Sequence, residues 1–268
     1  MAEPGGPGPG TPETGWYVYG VGRGLSPDAV TEVRGVGGAP VGLVDEGGIT
    51  AVVSPVGLAE FGEDPLRRNL ESLDWLESTA RAHHGVIDAL AASAALVPLG
   101  LATVYRSAER VRAALRERGP EFAEALDRVG GRTEWGVKVY ADPPEHAAPA
   151  TGSGEAGARP GTSYLRRRQA ERHAERDERV AALRAAEEID AALRDTAVDG
   201  RRHRAQDPGL SGERGWMVLN AAYLVDDSGG ARFRDSVAAE AARHPRLRVR
   251  ITGPWAPYSF AVAAREGP

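Results

Sequence analysis

Three groups of residues in this chain could do chemistry. His83-His84 offers two imidazoles for metal binding or proton transfer, and Gly20-x-Gly22-x-Gly24 offers a turn that phosphate could approach. Arg166-Arg167-Arg168, with Arg172 and Arg176, offers a strip of cations. Each fails on spacing. Adjacent residues on a helix point about 100° apart, so His83 and His84 cannot grip one ion as an i, i+4 pair would. The dinucleotide fingerprint needs a third glycine at position 25, where Leu25 stands. Glu171, Glu175, Asp177 and Glu178 interleave with the arginines at i, i+3 and i+4, the pattern of a self-paired solvated helix.

The remaining candidates are fewer still. Lys138 is the only lysine among 33 basic residues, and it lies in Glu134-Trp135-Gly136-Val137-Lys138-Val139-Tyr140 with no partner acid or cofactor motif beside it. It reads as the exposed side of a strand. No P-loop and no G-x-S-x-G elbow exists, and the absence of cysteine excludes thiol catalysis and cysteine-ligated metals. His83 falls on an apolar helix face and reads as a hydrogen-bonded, partly buried residue. The expectation is therefore no catalytic residue, no metal, no cofactor and no enzymatic activity.

Composition narrows the class. At 268 residues the chain can form one large domain or two ordinary ones, each with a core. A net charge of −5 argues against a general nucleic-acid binder, and no apolar run approaches the ~20 residues of a membrane span. The Gly/Pro-rich start lacks the features of a secretory signal, and the whole fits a cytoplasmic protein.

The elements that would position these residues follow from periodicity. A strand is expected over Trp16–Val21, then a short helix from Ser26 through Arg34. Val41–Val44 and Ile49–Val53 read as a hairpin about Glu46-Gly47-Gly48. A helix follows from Asp64 to about Ala92, its apolar face formed by Leu66, Leu73, Leu76, Ala80, His83, Ile87 and Leu90. Leu96–Tyr105 reads as one buried strand. Ser107 caps a helix that Gly119-Pro120 interrupts and Gly130-Gly131 ends. Trp135, Val137 and Val139 alternate as a half-buried strand closing this region.

A Pro/Ala/Gly-rich stretch then marks a boundary. The expected division is a disordered tail over 1–14, an α+β domain over 15–141, a flexible linker over 142–161 and a second α+β domain over 162–268. The fold class is α+β, with two ferredoxin-like sandwiches or variants of them. The second domain opens with a long charged helix from Ser163 to about Thr196, roughly 50 Å in length. Gly200–Gly212 reads as a loop, Gly215–Val225 as a strand, Arg232–Arg243 as an amphipathic helix and Leu247–Ile251 as a strand. A turn through Gly253–Phe260 leads to a last short strand ending near Ala264. Trp255 and Tyr258, in that proline-stiffened turn, either pack on a neighbouring domain or present a pre-ordered contact surface.

Taken in order, several segments resemble the gas vesicle GvpF/GvpL family. They are Tyr17-Val18-Tyr19-Gly20, Trp75-Leu76, Ala80-Arg81-Ala82-His83, Val97-Pro98-Leu99, Thr103-Val104-Tyr105, Glu134–Val139, Tyr164-Leu165 with Arg168, and Gly253–Phe260. Two departures stand out: Gly100-Leu101-Ala102-Thr103 replaces the family's usual Arg-Phe-Gly-Thr, and Ala256 stands where a second proline is usual. The resemblance implies a non-enzymatic accessory protein of gas vesicle assembly, in the cytoplasm and at the vesicle. It would bind the hydrophobic shell protein and other accessory proteins, and neither nucleic acid nor a lipid membrane. The expected partner-binding residues are Tyr164, Leu165, Arg168, Trp255, Tyr258 and Phe260. The alternative is a small-molecule-binding regulatory α+β protein.

Overall fold

The structure is a computed structural model that describes residues 13–91, 94–142, 160–205 and 215–261, with the side chains of residues 160–167 and 171 outside it. The described chain divides into two compact units, each with its own core. One holds the residues up to Thr133 together with those from Trp255 onward, and the other runs from Glu134 to Pro254.

In the first unit β1 (Thr14–Gly22) is the central strand. It pairs antiparallel with β3 (Ile49–Gly57), which pairs in turn with β2 (Gly42–Glu46). The β2–β3 hairpin is where its alternation predicts it. Gly47 and Gly48 both hold positive φ, 60° and 80°, the requirement of a two-residue turn matched to strand twist. Where one strand is expected from Leu96 to Tyr105, two short ones form, β4 (Leu96–Pro98) and β5 (Val104–Tyr105), both pairing with β1. The chain leaves the sheet between them, and Ala102 sits at φ 62° on that excursion.

The helices differ from expectation at their breaks. Ser26 does cap a turn at Pro27–Val30, but it is a 3-10 turn and not a helix to Arg34, because only Val30 in it is buried. The long helix expected from Asp64 is split. α1 (Leu58–Phe61) and α2 (Glu63–Asn69) precede a turn at 70–72, and α3 (Leu73–Ala91) follows it. That turn rotates Leu73 off the core face, where it is 80% exposed, while Thr79, His83, Val86, Ile87 and Leu90 form the buried stripe. α4 (Ala108–Glu117) is capped by Ser107, whose hydroxyl accepts from Arg110 N, and α5 (Gly119–Val129) starts with Pro120 in its first turn.

β6 (Arg132–Ala141) buries Trp135, Val137 and Val139 as its alternation requires, yet it belongs to the second unit's sheet and does not complete the first. After it come α6 (Pro160–Arg194), β7 (Asp199–Arg202), β8 (Trp216–Asp226), α7 (Gly230–Arg243) and β9 (Leu247–Trp255), with strand order β7-β8-β6-β9. β7 overlaps the start of the segment expected to be a loop, Gly200–Gly212. Its Asp-Gly-Arg-Arg sequence has no strand propensity, and pairing with β8 makes it a strand, Asp199 opposite Leu224 and Arg202 opposite Ala221. The element order β-α-β-β-α-β appears in this unit. In the first unit the strand order β2-β3-β1-β4 is present, but 3-10 turns replace the first crossover helix. The fold is thus mixed α and β with two sheets, and two ferredoxin-like sandwiches are not established.

Most of the expected tail (1–12) and linker (143–159) lies outside the described residues, as does the last strand near Ala264, beyond Ala261. Tyr258–Phe260 is a 3-10 turn.

Candidate functional site

In the Gly20-x-Gly22-x-Gly24 run, Gly20 and Gly22 serve packing and Gly24 a positive φ of 71°. Gly20 and Gly22 lie in β1 opposite Pro98 and Leu96, and a Cβ on Gly20 would stand 2.8 Å from the Val97 carbonyl oxygen. The strands approach too closely there for a side chain, and no phosphate cradle is formed.

His83 is almost fully buried on α3, among Tyr17, Tyr19 and the edge of His84. Its Nδ1 lies 3.1 Å from the Tyr17 hydroxyl, which also accepts the Ala102 N–H at 2.9 Å. Tyr17 and His83 share one hydrogen bond, whose direction follows the imidazole tautomer. Burial, with a smaller contribution from neighbouring His84, pushes the His83 pKa down to about 4. A neutral, enclosed imidazole of this kind ties α3 to β1. His84 points elsewhere, its Nδ1 2.7 Å from the Tyr258 hydroxyl.

The proposed contact turn is thereby resolved residue by residue. Tyr258 is partly buried against His83 and His84, Phe260 is fully buried, and Trp255 stands 51% exposed. Arg168 is on an exposed stretch of α6, and the side chains of Tyr164 and Leu165 fall outside the described residues.

Two features of the second unit were not legible as sites. Asp190, 3% exposed, accepts from Tyr223 Oη at 2.6 Å, Arg202 Nε at 2.9 Å and Arg194 Nε at 3.0 Å. Burial alone would raise its carboxyl, but these three hydrogen bonds outweigh it and hold the pKa below the ordinary value. The same arrangement raises the Tyr223 phenol, by burial first and then by the carboxylate it faces. This hub joins α6, β7 and β8.

The second feature is an open groove of about 970 Å³ between α6, the α7–β9 turn and the ends of β6 and β8. Ala141, Ala182, Ala185, Trp216 and Leu247 form its apolar lining, and Arg179 lies over the Trp216 ring at 4.9 Å. The paired alanines at 181–182 and 185–186, in an otherwise charged helix, were its sequence signal.

Among the described residues, no three His, Cys, Asp or Glu side chains cluster to hold a metal ion, and no helix is long and apolar enough to cross a membrane. The class these observations define is a two-unit α and β protein in which the buried His83, Tyr17, Asp190 and Tyr223 side chains tie helices to strands. The chain belongs to the gas vesicle synthesis protein GvpL/GvpF family, whose model matches residues 15–262. Gas vesicle protein L of Streptomyces sp. (strain CB03234) is 42% identical over 254 residues, spanning 93% of this chain and 94% of that protein. Gas vesicle protein F of the same strain is 27% identical, covering 91% and 98%. The crystal structure of GvpF from Anabaena sp. PCC7120 has the same fold, with a TM-score of 0.66, 21% identity and coverage of 94% of this chain and 97% of that one. Family membership implies a role in gas vesicle assembly.

Proposed function

We propose that this protein is a non-enzymatic accessory factor that binds the hydrophobic shell protein, and other gas vesicle proteins, to nucleate or chaperone wall formation. Match to the family along residues 15–262 is the observation that carries this reading. The physical need supports it: a subunit that tiles a gas-facing wall exposes apolar surface that aggregates before assembly, and a binding partner can cover it. Trp255 offers an exposed aromatic on a turn anchored by buried Phe260, a combination suited to a pre-ordered contact. Tyr164, Leu165 and Arg168 extend the proposed contact set onto α6. The greater identity to the L protein than to the F protein of one Streptomyces strain supports an L-type role. The protein would work in the cytoplasm and remain associated with vesicles.

Co-expression with the shell protein, followed by affinity capture of this chain, is the test. Co-purification in a defined ratio is expected, and failure to capture any gas vesicle protein would sink the reading.

A further inference from the structure

We propose that the groove of the second unit is a docking site for an amphipathic α-helix of a partner protein, with small apolar residues along one face, basic residues on one flank and acidic residues on the other. This goes beyond the function proposed above, since it holds whichever protein supplies the helix.

The floor sets the first requirement. Ala182 and Ala185 on α6, with Ala141, leave no long side chain between the groove and the helix backbone, so a second helix can approach closely. Trp216 and Leu247 supply the larger apolar contacts at the base. Length sets the second. The lining residues of α6 run from Glu175 to Ala185, about 15 Å of helix at 1.5 Å per residue, enough for roughly three turns of an occupant. On its N-terminal side α6 is exposed at 168–170 and 172–174, so the groove is open at that end and an elongated ligand can extend past it.

Charge sets the third. Asp142 is paired with Arg248 and Arg243 with buried Glu240, so these two rim residues are already neutralised. Arg179 is laid over Trp216. Arg179 keeps its charge there, but two carboxylates, Glu175 and Glu178, outnumber it on the α6 wall, while Arg246 stands beside His244 on the wall made by the α7–β9 turn. One flank of the occupant therefore meets carboxylates and the other a guanidinium, which favours a helix with opposite charges along its two flanks.

Two synthetic helical peptides with one Leu/Ala stripe test this on the full chain by fluorescence anisotropy. The first has a Lys flank and a Glu flank, and the second has Glu on both. Because reversal of the helix direction only exchanges the flanks, the comparison does not depend on polarity. The wild type should prefer the first peptide by about tenfold, in a salt-sensitive way. Glu175→Lys with Glu178→Lys should invert the preference. Ala181→Phe, at an exposed rim position, should fill the groove and weaken the favoured peptide about tenfold or more, with the melting temperature unchanged. Equal binding of both peptides, absence of inversion, or full binding by Ala181→Phe would overturn the proposal. So would a wild-type dimer that the double substitution turns into a monomer, because the groove would then belong to a second copy of this chain.

Discussion

Ala102 is held at φ 62°, a left-handed conformation costing a non-glycine residue about 1–2 kcal/mol, while its N–H is committed to Tyr17. The family resemblance places glycine at this position. Ala102→Gly is expected to relieve the strain, partly offset by greater freedom in the unfolded chain, for a net gain of about 0.5 kcal/mol in urea denaturation. A loss would mean the strain is not there. His83 governs the acid side. Its folded pKa of about 4 lies below the unfolded 6.5, so its contribution is complete above 6.5 and is lost as pH falls toward 4, about 3 kcal/mol in all. His83→Gln, which can still hydrogen-bond to Tyr17 but cannot titrate, should flatten the stability–pH curve between those limits; an unchanged slope would refute the assignment. Asp190 acts lower down. With its carboxyl held below the ordinary value, its stabilisation is present above about pH 4 and disappears as pH drops through the folded value. Asp190→Asn should cost about 2 kcal/mol at neutral pH, less than a fully buried pair, because Arg194 and Arg202 are half exposed and can return to water.

At the scale of elements, local rules succeeded where the chain's own neighbours decide the geometry. Gly47-Gly48 made the hairpin, Ser107 the cap of α4, and the Trp135/Val137/Val139 alternation a strand with one buried face. They failed where a partner distant in sequence decides. β7 is a strand only because β8 pairs with it, and β6 joins the second sheet through partners that its own pattern does not record. The Tyr258–Phe260 turn is the same kind of element. It has no regular pattern, yet Phe260 is fully buried and Tyr258 bonds His84 of α3. Phe260→Ala should therefore cost about 3–4 kcal/mol, and Tyr258→Phe less than about 1 kcal/mol, as measured by denaturant unfolding. Equal effects would show that the turn is held by the hydrogen bond and not by the buried ring.

For the molecule as a whole, the exposed ring of Trp255 is the place where folding and partner binding can be separated. Trp255→Ala should leave the melting temperature within about 2 °C of wild type, because half the side chain is already in water, and weaken shell-protein capture at least fivefold. Undiminished capture would remove this surface from the proposal. The sequence by itself determined the alternation of β6, the Gly47-Gly48 turn and the Ser107 cap, each of which depends on residues within a few positions of one another, and the ordered short segments by which the family is known. Only the tertiary structure decided that β6 joins the second sheet, that the chain returns to the first unit after Pro254, that Asp190 gathers Arg194, Arg202 and Tyr223, and that alanines of α6 floor a groove. Such outcomes depend on which surfaces the backbone brings together across tens of residues, and a strand's pattern records that one face is buried without recording against what.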